Sequence, residues 1–288
     1  MDPIGTAHGV LDASARPLVM GILNVTPDSF SDGGQFFDPG VAVEHAARMT
    51  AEGADLIDIG AESSRPGSRP VPDDEQIRRL VPVIERIRAS ETRIPISVDT
   101  RRAAVADAAI DAGADLVNDI SALRDDPALA RLVARRGVGV VLMHMQGTPT
   151  TMQDRPAYDD VVAEILAFLS ERIEAAAEVG IDPQRIIIDP GIGFGKKSVH
   201  NMTLLRRLDA FRPLGRPILV GPSRKMFIGG VTAKASPTDR LMGTAATVAA
   251  AVLAGANIVR VHDVAEMRQV VEMAYAIAHA DAGGDTRA

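Results

Sequence analysis

The sequence predicts an α/β protein folded as a single-domain (β/α)8, or TIM, barrel, and three observations carry that expectation. Eight short apolar runs alternate with helical segments along 288 residues, a length routine for a barrel in one domain. The runs are continuous rather than alternating, as in parallel strands buried on both faces. One phrase recurs where a helix gives way to a strand: Glu52-Gly53-Ala54-Asp55 before LIDIG, Ala112-Gly113-Ala114-Asp115 before LVNDI, Ala254-Gly255-Ala256-Asn257 before IVRVH. Glycine just past a helix end takes positive φ at little cost, so each phrase marks a helix stopping. A doubly wound open sheet is the alternative on pattern alone.

Taken in order, residues 1–17 read as a tail or a plug for the barrel. Strands are expected at 18–24, 55–60, 94–99, 115–120, 138–144, 185–189, 216–221 and 256–262, with Gly137 and Gly180 ending helices before the fifth and sixth. Asp38-Pro39, Asp126-Pro127 and Ser236-Pro237 each pair a capping residue with proline at the first helical position. Asp263 followed by Glu266 reads as a capping box and Asp263 as a cap only. Residues 18–280 form the barrel and 281–288 a second tail. The longest apolar stretch, Leu241 to Val261, is interrupted by Gly243, Gly255 and Asn257 and reads as a buried helix entering a buried strand, not a membrane span.

Composition narrows the function. Hydrophobic residues make up 46% of the chain but aromatics only 3%, so Ala, Val, Ile, Leu and Met must build the core. The net charge of -7 and the lack of a basic stripe argue against nucleic acid. With no cysteine, disulfides and thiolate metal sites are excluded. The first residues lack the layout of a signal peptide, and the cytoplasm is the expected location.

In such a barrel the chemistry lies at the C-terminal ends of the strands. There the sequence places Asn24, Asp58, Asp99, Asn118 and Asp119, His144, Asp189, Arg260 and His262. Each has a plain reading: Asp99 as a helix cap, Asn118 and Asp119 as turn formers, His144 as a packed rim residue. As a set they are costly to bury at one end unless they pair with each other or a ligand. Asp99, Asn118 and Asp189 offer acceptors and one amide donor, suited to an aminopyrimidinone edge, and Lys225 can reach its carbonyl. Arg65, Arg260 and His262 can surround an anion, and Ser223 is expected at the start of a short helix, where free N–H groups favour one. GIGFGK has neither the P-loop nor the GxGxxG spacing and reads as a flexible loop.

MGILNVTPDSFSDGG (20–34), DIGAESSRPG (58–67), SVDT (97–100), NDIS (118–121), LMHMQGTP (142–149), DPGIGFGK (189–196), GPSRK (221–225) and RVHD (260–263) together resemble the dihydropteroate synthase family, in order and over nearly the whole chain. Ala61 stands where that family often has Gly, and Ser64 where Thr is common. The resemblance implies that Asp99, Asn118, Asp189 and Lys225 hold a pterin ring; that Ser64, Arg65, Arg260 and His262 hold its pyrophosphate; and that Asn24 binds the accompanying Mg²⁺. It implies that Phe30 and Asp32 close over the site and that Pro66, Phe194 and Ser223 help form the aminobenzoate site. It assigns catalysis to Asp32, Arg65, Lys225, Arg260 and His262, mobility to loops 25–37 and 61–72, and a homodimer through the last helices. A methyltetrahydrofolate-dependent methyltransferase would share Asp99, Asn118 and Asp189 but needs neither SRK nor Arg-x-His; a non-catalytic pterin-binding paralogue would have lost anion ligands, and none is missing.

Overall fold

In the computed structural model, which describes residues 3–26, 39–64, 67–90 and 93–280, a short antiparallel hairpin, β1 (Ile4–Gly5) and β2 (Val10–Leu11), precedes eight parallel strands. They alternate with helices: β3 (Leu18–Asn24), α1 (Pro39–Ala51), β4 (Leu56–Gly60), α2 (Asp73–Ala89), β5 (Ile96–Asp99), α3 (Ala103–Asp111), β6 (Leu116–Asp119), α4 (Pro127–Arg136), β7 (Gly139–Met143), α5 (Val161–Glu178) and β8 (Ile186–Asp189). The chain continues through α6 (Ser198–Arg206), β9 (Leu219–Val220), α7 (Met226–Thr232), α8 (Leu241–Leu253), β10 (Ile258–Val261) and α9 (Val264–Ala278). Every strand of the large sheet lies inside a run expected from sequence. The order is β8-β7-β6-β5-β4-β3-β10-β9, and a parallel bridge between Ile188 and Ile218 joins its two edges. The sheet is a barrel and not the open alternative.

Two apolar layers explain the continuous runs. Val19, Ile57, Val98, Val117, Val140, Ile188, Val220 and Val259 pack outward among the helices. Met20, Leu56, Leu116, Val141, Ile187, Leu219 and Ile258 pack together inside, with Ile4 and Leu11 of the hairpin among them. Because side chains alternate across a strand, the next inward position toward the C-terminal end follows two residues later. There the residue type changes: Leu56 gives way to Asp58, Leu116 to Asn118, Ile187 to Asp189 and Ile258 to Arg260. The lower barrel is dry and the upper barrel polar.

Gly53, Gly113 and Gly255 have φ of +97°, +115° and +105°, as helix stops require. Asp126 caps α4, accepting from the Ala128 N–H at 2.9 Å. Ser236 does not cap an α-helix: Pro237 opens a short 3-10 turn and the Ser236 hydroxyl lies 2.7 Å from that of Thr238. Asp263 stands at the start of α9 without capping it through its side chain, and no capping box with Glu266 forms. Its carboxylate turns to Arg224 instead, a stronger, charged donor. Asp38 lies outside the described residues. The stretch read as helix into strand is α8 followed by β10, and among the described residues no helix is long and apolar enough to cross a membrane.

Candidate active site

A guanidinium between two carboxylates forms one wall of the barrel mouth. Arg260 on β10 donates from Nε to Asp58 Oδ2 at 2.6 Å and from Nη2 to Asp99 Oδ2 at 3.0 Å. Asn118 donates one N–H of its amide to the same Asp58 oxygen at 2.9 Å, so half of the amide donor expected to face a ligand is used inside the protein. Asp58 is fully buried and its Oδ1 has no hydrogen-bond partner among the described residues. One cation serving two acids cannot fully neutralise both: burial first, then the charge of Asp58, push Asp99 up to about 7 against the pull of Arg260. Burial opposes the charge on Arg260, but Asp58 and Asp99 outweigh it and raise its pKa. Asp99 is no helix cap; α3 begins after Arg102.

Asp189 and Lys225 form the facing wall. Burial raises the Asp189 carboxyl to about 6, although the Gly191 N–H donates to it at 2.7 Å and Lys225 favours its anion. Lys225 is lowered to about 8 by burial and by Arg260. Its Nζ lies 4.0 Å from the centre of the Phe194 ring, a cation–π contact. The turn that aims Lys225 is strained: Arg224 is not glycine yet has φ of +58°. It is locked by Asp263 on its guanidinium, by Thr244 Oγ1 accepting from its N–H at 3.1 Å, and by Arg240 donating to its carbonyl at 2.8 Å.

Ser223 lies three residues before α7, not at its first turn as expected, and its hydroxyl is 2.9 Å from His262 Nδ1. Burial first, then Arg224 and Arg260, lower His262 to about 3, so its ring is neutral in this site. Ser64 lines a recess beside Asp99, Thr100 and Arg101. Asn24 continues the inward register of Leu18, Met20 and Ile22 and is half-buried.

The polar strand ends do not all face this mouth. Asp119 holds its own turn, accepting from the Ser121 and Leu123 N–H groups at 2.7 Å each. His144 follows the outward register of Val140 and Leu142, packs edge-on to Phe168 at 4.8 Å and sits 3.0 Å from Lys196 Nζ. GIGFGK is not loose. Gly191 has φ of +72°, and a Cβ there would fall 1.9 Å from the His144 carbonyl oxygen; Lys196 is buried. Two contributors were given no role from sequence: Asp58, placed at the mouth but not recognised as the hub of the first wall, and Lys196 beneath the second; the inward register of Leu56 was the available signal for Asp58. Phe30, Asp32, Arg65 and Pro66 lie outside the described residues, as does most of loop 25–37.

A pattern common to the pterin-binding enzymes matches residues 20–262. A dihydropteroate synthase from Synechocystis is 46% identical over 275 residues, covering 96% of this chain and 95% of that protein. The crystal structure of the Yersinia pestis dihydropteroate synthase with a sulfonamide drug superposes with a TM-score of 0.90 at 43% identity, covering 96% and 99% of the two chains. The Xanthomonas albilineans dihydropteroate synthase in complex with 7,8-dihydropteroate does so with a TM-score of 0.86 at 45% identity over 96% and 98%. The chain belongs to the pterin-binding enzymes and, within them, to the dihydropteroate synthase family.

Proposed function

We propose that this chain condenses 6-hydroxymethyl-7,8-dihydropterin pyrophosphate with p-aminobenzoate to give 7,8-dihydropteroate and pyrophosphate. The carrying observation is the pair of facing walls in a chain of this family: a buried carboxylate, Asp189, beside the cation Lys225, opposite Arg260 shared by Asp58 and Asp99. Asp189 accepts adjacent N–H groups of the pterin, the free oxygen of Asn118 and Asp99 meet its other polar atoms, and Lys225 donates to its carbonyl. Ser64, Arg65, His262 and the N–H groups that Arg260 keeps free hold the pyrophosphate.

The reaction breaks the bond between the pterin methylene and the pyrophosphate oxygen and forms one from that carbon to the amine nitrogen, which then loses a proton. The aryl amine is neutral at neutral pH, so no strong base is needed. Ser223 and His262 do not make a nucleophile–base relay, since among the described residues no carboxylate hydrogen-bonds the far ring nitrogen of His262. What the site must do is stabilise departing charge. Because the ring can carry positive charge at the methylene, we read the path as SN1-like, with Asp32 placed against that cation.

The residues present fit Mg²⁺, a hard cation content with one protein oxygen when phosphate and water complete its shell: Asn24 offers such an oxygen at the mouth, and the described residues hold no ready-made acidic cage. Bound there, Mg²⁺ supplies charge neutralisation on the leaving pyrophosphate. We also read the chain as a homodimer through α6, α7 and α8, where Met202, Met226, Val231, Met242 and Leu253 are exposed and a groove of about 850 Å³ is lined by Met202, Val231 and Leu253.

The deciding experiment is pyrophosphate release from the pterin pyrophosphate with and without p-aminobenzoate and Mg²⁺. Release that requires both, with dihydropteroate formed, is expected. Pterin binding without release would overturn the reading.

A further inference from the structure

Lys196 touches no reacting group in the reaction as described, yet its amine is buried at 3% exposure, and burial lowers it to about 7 against the pull of Asp189, so that its ammonium form is held at a cost. Its acceptors are all uncharged: His144 Nδ1 at 3.0 Å, the Phe194 carbonyl at 2.9 Å and the His144 carbonyl at 3.4 Å. Burying a cation against neutral partners is costly, and a methionine of the same length would fill the space without that cost.

What the ammonium does is join two elements. One bond goes to His144 at the end of β7, another to the carbonyl of Phe194 in the loop after β8. The Phe194 ring packs against Ile120, Met143, Met145 and Met152, and it carries Lys225 Nζ on its face. Other contacts hold the rest of the loop: Tyr158 donates to the Gly195 carbonyl at 2.8 Å, Gln153 to the Gly193 carbonyl at 3.0 Å, and Asn201 accepts from the Gly193 N–H at 2.7 Å. Removing the ammonium therefore leaves the loop attached, with the Phe194 N–H still on the Gly191 carbonyl at 3.1 Å, and releases the Phe194 carbonyl, the tie that sets the tilt of its ring.

We propose that Lys196 is a positioning residue: by drawing the Phe194 carbonyl and His144 Nδ1 onto one ammonium, it fixes the Phe194 ring beneath Lys225 and so shapes the seam where the aminobenzoate meets the pterin. The kinetic part rests on the reaction proposed above; the placement of the ring does not. His144 suits the task because accepting at Nδ1 puts its proton on Nε2, and burial and the nearby charges of Lys196 and Arg124 keep it unprotonated.

Lys196→Met keeps the side-chain length and removes the charge. It is expected to raise the KM for p-aminobenzoate about tenfold or more while the Kd for a pterin changes less than about threefold. His144→Asn, which offers an oxygen near the place of Nδ1, should stay within about threefold of the wild type; His144→Leu should repeat the Lys196→Met effect, and the double variant should be no worse than either single one. In protein labelled with 4-fluorophenylalanine, with Phe194→Leu assigning its signal, the Phe194 resonance should move in Lys196→Met and His144→Leu but not in His144→Asn. That readout decides ring placement even if no pyrophosphate release is found. An unmoved resonance, or a loss of melting temperature with kcat and both KM values falling together, would overturn the proposal.

Discussion

Asp189 shows how burial and function pull one carboxylate in opposite directions. In the proposed contact with two pterin N–H groups it would be ionised, but its surroundings disfavour the charge and raise it to about 6. The Gly191 N–H and the charges of Lys225, Lys196 and Arg260 keep the rise from being larger. The consequence has a definite sign. The protonated acid accepts poorly, so pterin affinity is flat above the folded pKa and falls as pH drops through it, by about tenfold per unit once protonation is complete. Calorimetric titration of 6-hydroxymethylpterin between about pH 7.5 and 5 measures this. Asp189→Asn should bind weakly with no such dependence, at a cost of about 3 kcal/mol, the scale of losing a preorganised charged contact. Equal affinity at both ends of the range in the wild type would remove Asp189 from the pterin contact.

At the scale of elements, the loop after β8 is as tightly built as the strands. Gly191 combines a left-handed backbone with backbone contact, whereas Gly180 has φ of +96° but nothing within 4 Å of where a Cβ would stand. Gly180→Ala should therefore cost only local strain, about 1 kcal/mol, and Gly191→Ala about 3 kcal/mol because the His144 carbonyl must also move. Urea unfolding separates the two; equal losses would mean that the loop yields. The strands themselves were legible because a parallel strand buried on both faces leaves an unbroken apolar run. Which polar strand ends enter the mouth was not separated from sequence, where Asp119 and His144 stood in the same set; once the structure shows which layer is inward, period two separates them, since Asn118 and Asp189 share parity with Leu116 and Ile187 while Asp119 and His144 do not. Other features rest on partners far along the chain and leave no local trace. Asp263 looks like a helix cap until Arg224, 39 residues earlier, claims its carboxylate. Lys196 looks like the end of a glycine-rich loop until His144, 52 residues away, buries it.

For the whole molecule, the outer surface is uneven in a way a lone barrel does not require. Single exposed apolar residues are ordinary on a protein surface, but a contiguous patch marks a contact. Met202 on α6, Met226 and Val231 on α7, and Met242 and Leu253 on α8 are all exposed and lie on neighbouring helices. The groove lined by Met202, Val231 and Leu253 also takes in apolar Phe227, Ile228 and Ala250 and charged Arg206, Asp209 and Arg212. An apolar centre with a charged border is the layout of a protein interface, and a face that carries both signs of charge can be complementary to itself under two-fold symmetry. Sedimentation at about 10 µM should therefore show twice the chain mass, and Leu253→Glu, which places an unpaired charge in the groove, should show single chains with unchanged circular dichroism. The active-site mouth is formed by the strand ends of one chain, so the separated chains should still bind pterin. A wild-type monomer at that concentration would overturn the dimer, and a dimer that survives both Leu253→Glu and Val231→Glu would place the contact elsewhere.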